Sequence, residues 1–211
     1  MSNIDYKSLP IEEIRKLYYK YKKDHHEAYN EFKAIREKRD SLKSDIDSYD
    51  EIKNDANIGY AAIWEAKKDA SDAFPEYEKA CKKYDQMRTE YNDVLHDYSD
   101  AYYALKDYYS PIVKKIINHE FPSLTEEEAH DLLDIYIPLA ADYQYGCKQI
   151  EKSASSTELP KSHEELTQRI ENEELYKKFD KKLRETLAIL QYADRFIPKK
   201  EDKKGNTIWW R

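Results

Sequence analysis

The sequence predicts an all-α protein: a long antiparallel coiled-coil hairpin with a helical bundle at its base. Three observations predict it. First, apolar and aromatic residues recur every seven positions along two lines offset by four residues, from Ile11 to Tyr49, and again on two such lines from Ile63 to Tyr108. Second, 211 residues contain 3 Gly and 20 Tyr, 37% of the chain is charged, and Val is nearly absent, a composition suited to surface-rich helices rather than strands. Third, the two heptad runs are separated by Asn54-Asp55-Ala56-Asn57-Ile58-Gly59, which is turn chemistry.

The first helix is expected from about Pro10 to Asp55, with Ser8 capping its start and Pro10 in the first turn. Its lines read Ile14, Tyr21, Ala28, Ile35, Leu42, Tyr49 and Ile11, Tyr18, His25, Phe32, Arg39, Ile46. The second helix is expected from about Tyr60 to Tyr109. One line holds Ile63, Ala70, Tyr77, Tyr84, Tyr91, Tyr98 and Leu105, and the other Ala66, Ala73, Ala80, Met87, Val94, Ala101 and Tyr108. Pro75 interrupts neither line, so one kinked helix is expected. A short loop folds the two back on each other, and the pairing centres near Asn57. Tyr18, Tyr19 and Tyr21 then lie level with Val94 to Tyr98, and Tyr102 and Tyr103 with the start of the first helix.

Ser110-Pro111 is expected to break the second helix ahead of a short apolar helix from Ile112 to Phe121. Thr125-x-x-Glu128 is a capping box that opens a helix bearing Leu132, Leu133, Tyr136, Leu139, Ala140, Tyr143, Cys147 and Ile150, bent at Pro138. Residues 153–161 read as a linker. A second capping box, Ser162-x-x-Glu165, opens a helix carrying Leu166, Ile170, Phe179, Leu183, Leu187, Leu190 and Ala193, which ends near Pro198. The expected organisation is therefore a hairpin over residues 1–110, turning near 55–59. Helices over 111–197 pack on its open end, and a basic tail containing tryptophan covers 198–211.

Several function classes drop out. Three isolated glycines build no phosphate-cradling loop. No apolar run is long enough to span a membrane, and MSNIDYKSLP has no apolar signal core. Two cysteines, Cys81 and Cys147, read as reduced packed thiols in a cytoplasmic protein. Glu127-x-x-His130 has di-iron spacing but occurs once, and Asp93-x-x-His96 is its nearest echo, so no metal or cofactor is expected. No nucleophile motif is present, and no catalytic residue is assigned. The heptad tyrosines read as seam rather than a stacking platform, and the acidic surroundings oppose nucleic-acid binding.

The net charge is −7. It is uneven: residues 111–160 hold 4 basic and 9 acidic groups, and residues 161–211 hold 13 and 10. Two places stand out as candidate partner-binding sites. The hairpin tip carries Ile58, Tyr60 and Trp64, and the tail combines Lys203, Lys204, Ile208, Trp209, Trp210 and Arg211. The tail can equally fold back on the chain. The expected function is non-catalytic: an interaction module, adaptor, scaffold or spacer that binds a partner protein through tip or tail, with self-pairing through the long seam as a further option. The alternative is an acidic mimic of nucleic acid that blocks a basic nucleic-acid-binding protein or nuclease.

Overall fold

The computed structural model describes residues 4–55, 57–154 and 162–198. Among these, four α-helices and two short 3-10 turns appear and no strand: α1 (Ile11–Ile52), α2 (Tyr60–Ile117), α3 (Glu126–Ala154) and α4 (His163–Ala193). The all-α expectation holds. The chain divides into two compact units, residues 1–105 and 106–211, and α2 contributes to both.

In the first unit α1 and α2 form an antiparallel helical hairpin. The ring contacts fix its register. Tyr18 lies against Tyr98 (5.9 Å), His25 against Tyr91 (5.5 Å) and Phe32 against Tyr84 (5.0 Å). Each step of seven along α1 is matched by seven backwards along α2, so the pairing centres at residue 58. Tyr102 lies 6.5 Å from Tyr18, as expected, but Tyr103 stays exposed beside it. Every member of the two α1 lines is buried or half-buried, and so is every α2 member up to Leu105. Two residues per heptad thus carry the interface, which is why a charge-rich chain can fold here. His25 and Arg39 are absorbed as rings and planes: His25 stacks on Tyr98 at 5.0 Å, and the Arg39 guanidinium lies 4.0 Å from the Tyr84 ring centre.

The start of α1 departs from expectation. Ser8 does not cap it: residues 6–8 form a 3-10 turn, the Ser8 hydroxyl donates to the Asp5 carbonyl at 2.8 Å, and Pro10 occupies the N-cap without a side-chain bond. The loop follows its turn chemistry. The Asp55 carboxylate accepts from the Asn57 N–H at 2.8 Å, and the Gly59 carbonyl accepts the first bonds of α2 from Ala62 and Ile63.

The second departure is at Pro111. α2 runs unbroken through both Pro75 and Pro111 to Ile117, and α3 likewise contains Pro138. All three prolines sit on exposed positions, so the carbonyl each frees one turn back can be hydrated. The third departure is a change of phase. Tyr108, the last member of the second heptad line, is exposed, whereas Tyr109 is fully buried and is followed by buried Val113 and Ile116. α2 leaves the hairpin seam here and turns a neighbouring face toward α3. It ends in a 6→1 hydrogen bond from Glu120 N–H to the Lys115 carbonyl (2.9 Å), with His119 at φ 62° in the left-handed position usually given to Gly.

The second unit packs the last turns of α2, α3 and α4. Both helix starts are capped by the expected residues, Thr125 with the full reciprocal box and Ser162 by its hydroxyl. Thr125 and Glu128 exchange side-chain and backbone bonds (2.8 and 3.2 Å), and the Ser162 hydroxyl accepts from Glu165 N–H at 3.1 Å. α3 and α4 run antiparallel. Tyr143 meets Phe179 (6.1 Å) and the Tyr176 hydroxyl donates to Glu151 (2.9 Å). Gly146 lets the two backbones close: a Cβ there would meet the Phe179 ring at 2.7 Å. On α4, Thr186, Ile189 and Ala193 are buried, whereas Leu166, Ile170 and Leu187 are exposed, so its apolar residues do not all lie on the packed face.

Candidate interaction surface

The candidate surface is built by the loop and the first turns of α2. The tip residues divide into two sets. Ile52, Ile58 and Ile63 are half-buried and close the loop end of the seam. Tyr60 is 93% exposed and Trp64 66% exposed. Phe74, which sequence reasoning passed over, is 53% exposed. Tyr60, Trp64, Lys67, Ser71 and Phe74 follow one another at steps of four and three, so they share one lateral face of α2, beside the seam rather than in it.

Heptad letters show how this face is charged. Let a denote the lines through His25 and Tyr91, and d those through Ala28 and Val94. In an antiparallel pair the flanks then meet e to e and g to g. The Lys38–Glu76 ion pair at 3.7 Å is one such g–g contact. A groove with a volume of about 500 Å³ lies on the e–e side, lined by Arg39, Lys43 and Arg88, by Asp40 and Asp85, and by Tyr77 among others. Along α1 and α2 up to residue 104, the g and c positions carry 13 carboxylates and 4 lysines. The e positions carry Arg15, Lys22, Arg36, Lys43, Lys67 and Arg88 against Asp50 alone, while the b positions outside them carry Lys33 against Glu12, Asp40, Asp47, Glu78 and Asp85. One side of the hairpin is strongly acidic. The other has a basic edge, and the exposed aromatics of the tip stand on that other side.

Ion pairing differs between the helices. Lys23, Lys33, Arg36 and Lys43 of α1 each approach a carboxylate one turn on, at 3.7–3.8 Å. Lys67, Lys68 and Arg88 of α2 have no ion-pair partner among the described residues.

The ring ladder contains one titratable group that reports on the seam. His25 Nε2 and the Tyr91 hydroxyl are 3.1 Å apart, and with Nε2 unprotonated the phenol donates. Burial first, and then His26, lower the His25 pKa from its ordinary 6.5. The unfolded chain therefore binds this proton more readily than the hairpin does. Stability is fully present above 6.5 and falls as the pH drops through that value toward the lowered folded pKa. Urea titrations of the wild type and of His25→Phe between about pH 7.5 and 5.5 should show a steeper loss of midpoint in the wild type. Equal slopes would exclude His25 as the origin.

Burial pushes the Cys147 thiol up, in keeping with an inert packed thiol. No group of three or more His, Cys, Asp or Glu converges among the described residues, and His130 faces Glu126 at 3.8 Å on an exposed surface. Sequence reasoning also missed Asp131. It is fully buried in α3 and accepts from the Tyr109 hydroxyl at 2.6 Å. No helix among the described residues is long and apolar enough to cross a membrane. The tail candidates Lys203, Lys204, Ile208, Trp209, Trp210 and Arg211 lie outside the described residues.

No protein-family model matches the chain, and no curated protein or solved structure is significantly similar to it.

Proposed function

We propose that this chain is a non-catalytic protein-interaction module, an adaptor, scaffold or spacer, that engages a partner protein through the loop end of its hairpin. The observation that carries this reading is the exposure of Tyr60 and Trp64 on one face of α2, two large aromatics one turn apart that take no part in the seam. Helices beyond the seam need no such residues for folding, since polar side chains would serve the same positions better in water. The partner gains what the hairpin leaves uncovered: aromatic area, which dominates interface energetics.

Tyr60→Ala/Trp64→Ala tests the proposal. In capture from native extract, the double variant should lose the specific partner retained by the wild type. Its helical circular dichroism and thermal midpoint should be unchanged, because neither side chain supports the fold. Capture of the same partner in the same amount by both proteins would overturn it.

A second reading is favoured by the acidic g/c side: the hairpin presents rows of carboxylates, as a mimic of nucleic acid would. Salt separates the two. Capture through aromatics survives a rise in salt, whereas binding by carboxylate rows to a basic protein collapses with it.

A further inference from the structure

We infer that the tip face receives one amphipathic helix of another protein, apolar along one stripe and acidic along its edges, lying lengthwise beside the seam on the e–e side of the hairpin. This rests on the reading of the tip as an interaction site and adds the chemistry and direction of what binds there.

Three observations carry it. The first is spacing. Tyr60, Trp64 and Phe74 recur at helical steps along α2, and the e–e groove lies further along the same flank, floored by Tyr77 and reaching Arg88. From Tyr60 to Arg88 is about 42 Å at 1.5 Å per residue. A line of that length with rings at one- and several-turn intervals matches the anchors of a helix laid in a groove; no sheet edge is present among the described residues to receive a strand. The second is charge. Lys67 and Lys68 border the aromatics, Arg88 stands further along, and none of the three has an ion-pair partner among the described residues. Between Tyr60 and Phe74 the carboxylates of α2, Glu65, Asp69 and Asp72, fall on its opposite side, whereas further along Asp40 and Asp85 share the groove with Arg39, Lys43 and Arg88. Unpaired cations beside exposed rings complement acidic edges on the partner. The third excludes a second copy as the occupant. A two-fold pairing that sets Trp64 of one copy on Phe74 of the other centres on residue 69 and brings the Lys67 and Lys68 groups of both copies together. Like charges at that distance oppose it.

The test uses the full chain and four labelled 28-residue helical peptides, read by fluorescence anisotropy. Three share a leucine stripe edged by Glu, by Gln or by Lys. The fourth has Glu edges and a polar stripe. The Glu-edged leucine peptide should bind roughly tenfold more tightly than the Gln-edged one, and the other two should bind more weakly still. Trp64→Ala should weaken the Glu-edged peptide by roughly tenfold or more. Lys67→Glu/Lys68→Glu/Arg88→Glu should reverse the preference toward the Lys-edged peptide. A wild type that prefers the Lys-edged or Gln-edged peptide overturns the acidic-helix inference. If binding still depends on Trp64 in that case, the tip reading stands. Binding indifferent to Trp64 overturns both. A dimer in light scattering that the Glu-edged peptide does not dissociate assigns the face to a second copy and also overturns the inference.

Discussion

Replacing Tyr18 by Ala is expected to cost about 3–5 kcal/mol, the range for deleting a buried aromatic ring. Tyr18 is 1% exposed and stands where four rings converge. It packs on Tyr98 at 5.9 Å and Tyr102 at 6.5 Å, and meets Tyr19 edge-on at 5.1 Å. An Ala in the same seam position keeps the helix but leaves a cavity that α1 and α2 cannot close, because neighbouring layers at Ile14 and His25 hold their spacing. The loss should appear as reduced amide protection in α1 and in α2 around Tyr98, with the loop end of the hairpin less affected. Tyr18→Phe is the control: it keeps the ring and should retain most of the stability. A Tyr18→Ala variant within about 1 kcal/mol of wild type would refute this account of the seam.

Tyr109→Phe is expected to destabilise the second unit by about 1–3 kcal/mol, the range for leaving a buried acceptor without its donor. The substitution changes no apolar volume. It removes one donor from the Asp131 carboxyl, which is fully buried and cannot recover that bond from water. Tyr108→Phe, one residue away on the exposed side, should be nearly neutral. The contrast tests the phase change in α2 directly. Had the heptad line continued, Tyr108 would be the sensitive position and Tyr109 the tolerant one. Differential scanning calorimetry suits the comparison, since a chain of two compact units can melt in more than one step. Equal midpoints for the two variants would refute the buried Tyr109–Asp131 pair as a stabilising contact.

These two sites mark the limit of what the pattern of residues conveys. The seam was legible from Ile11 to Leu105 because a heptad line is a local property. Each residue's face follows from its neighbours three, four and seven positions away, and every line member within α1 and in α2 to Leu105 is at least half-buried. The caps at Thr125 and Ser162 were legible for the same reason, since each is closed within four residues. At the tip, the sequence marked Ile58, Tyr60 and Trp64 alike. Their division into a half-buried isoleucine and two exposed aromatics depends on the face α1 covers.

By itself, then, the sequence determined that the chain is helical, where the hairpin turns, and which residues line its seam. Periodicity and turn chemistry act within a few residues and need no knowledge of the rest. Only the tertiary structure decided the rest. It carried α2 through Pro111, because the proline faces solvent and its lost hydrogen bond is a matter of exposure rather than of residue type. It shifted the buried line from Tyr108 to Tyr109, because Tyr109 is the residue that meets α3 at Asp131. It buried Asp131 by supplying the phenol that satisfies it, which no spacing rule for apolar faces foresees. It also placed Phe74 with Tyr60 and Trp64 on the flank with the basic e edge, across the helix from Glu65, Asp69 and Asp72. That arrangement follows only once the pairing of α1 with α2 decides which face is seam and which is left exposed.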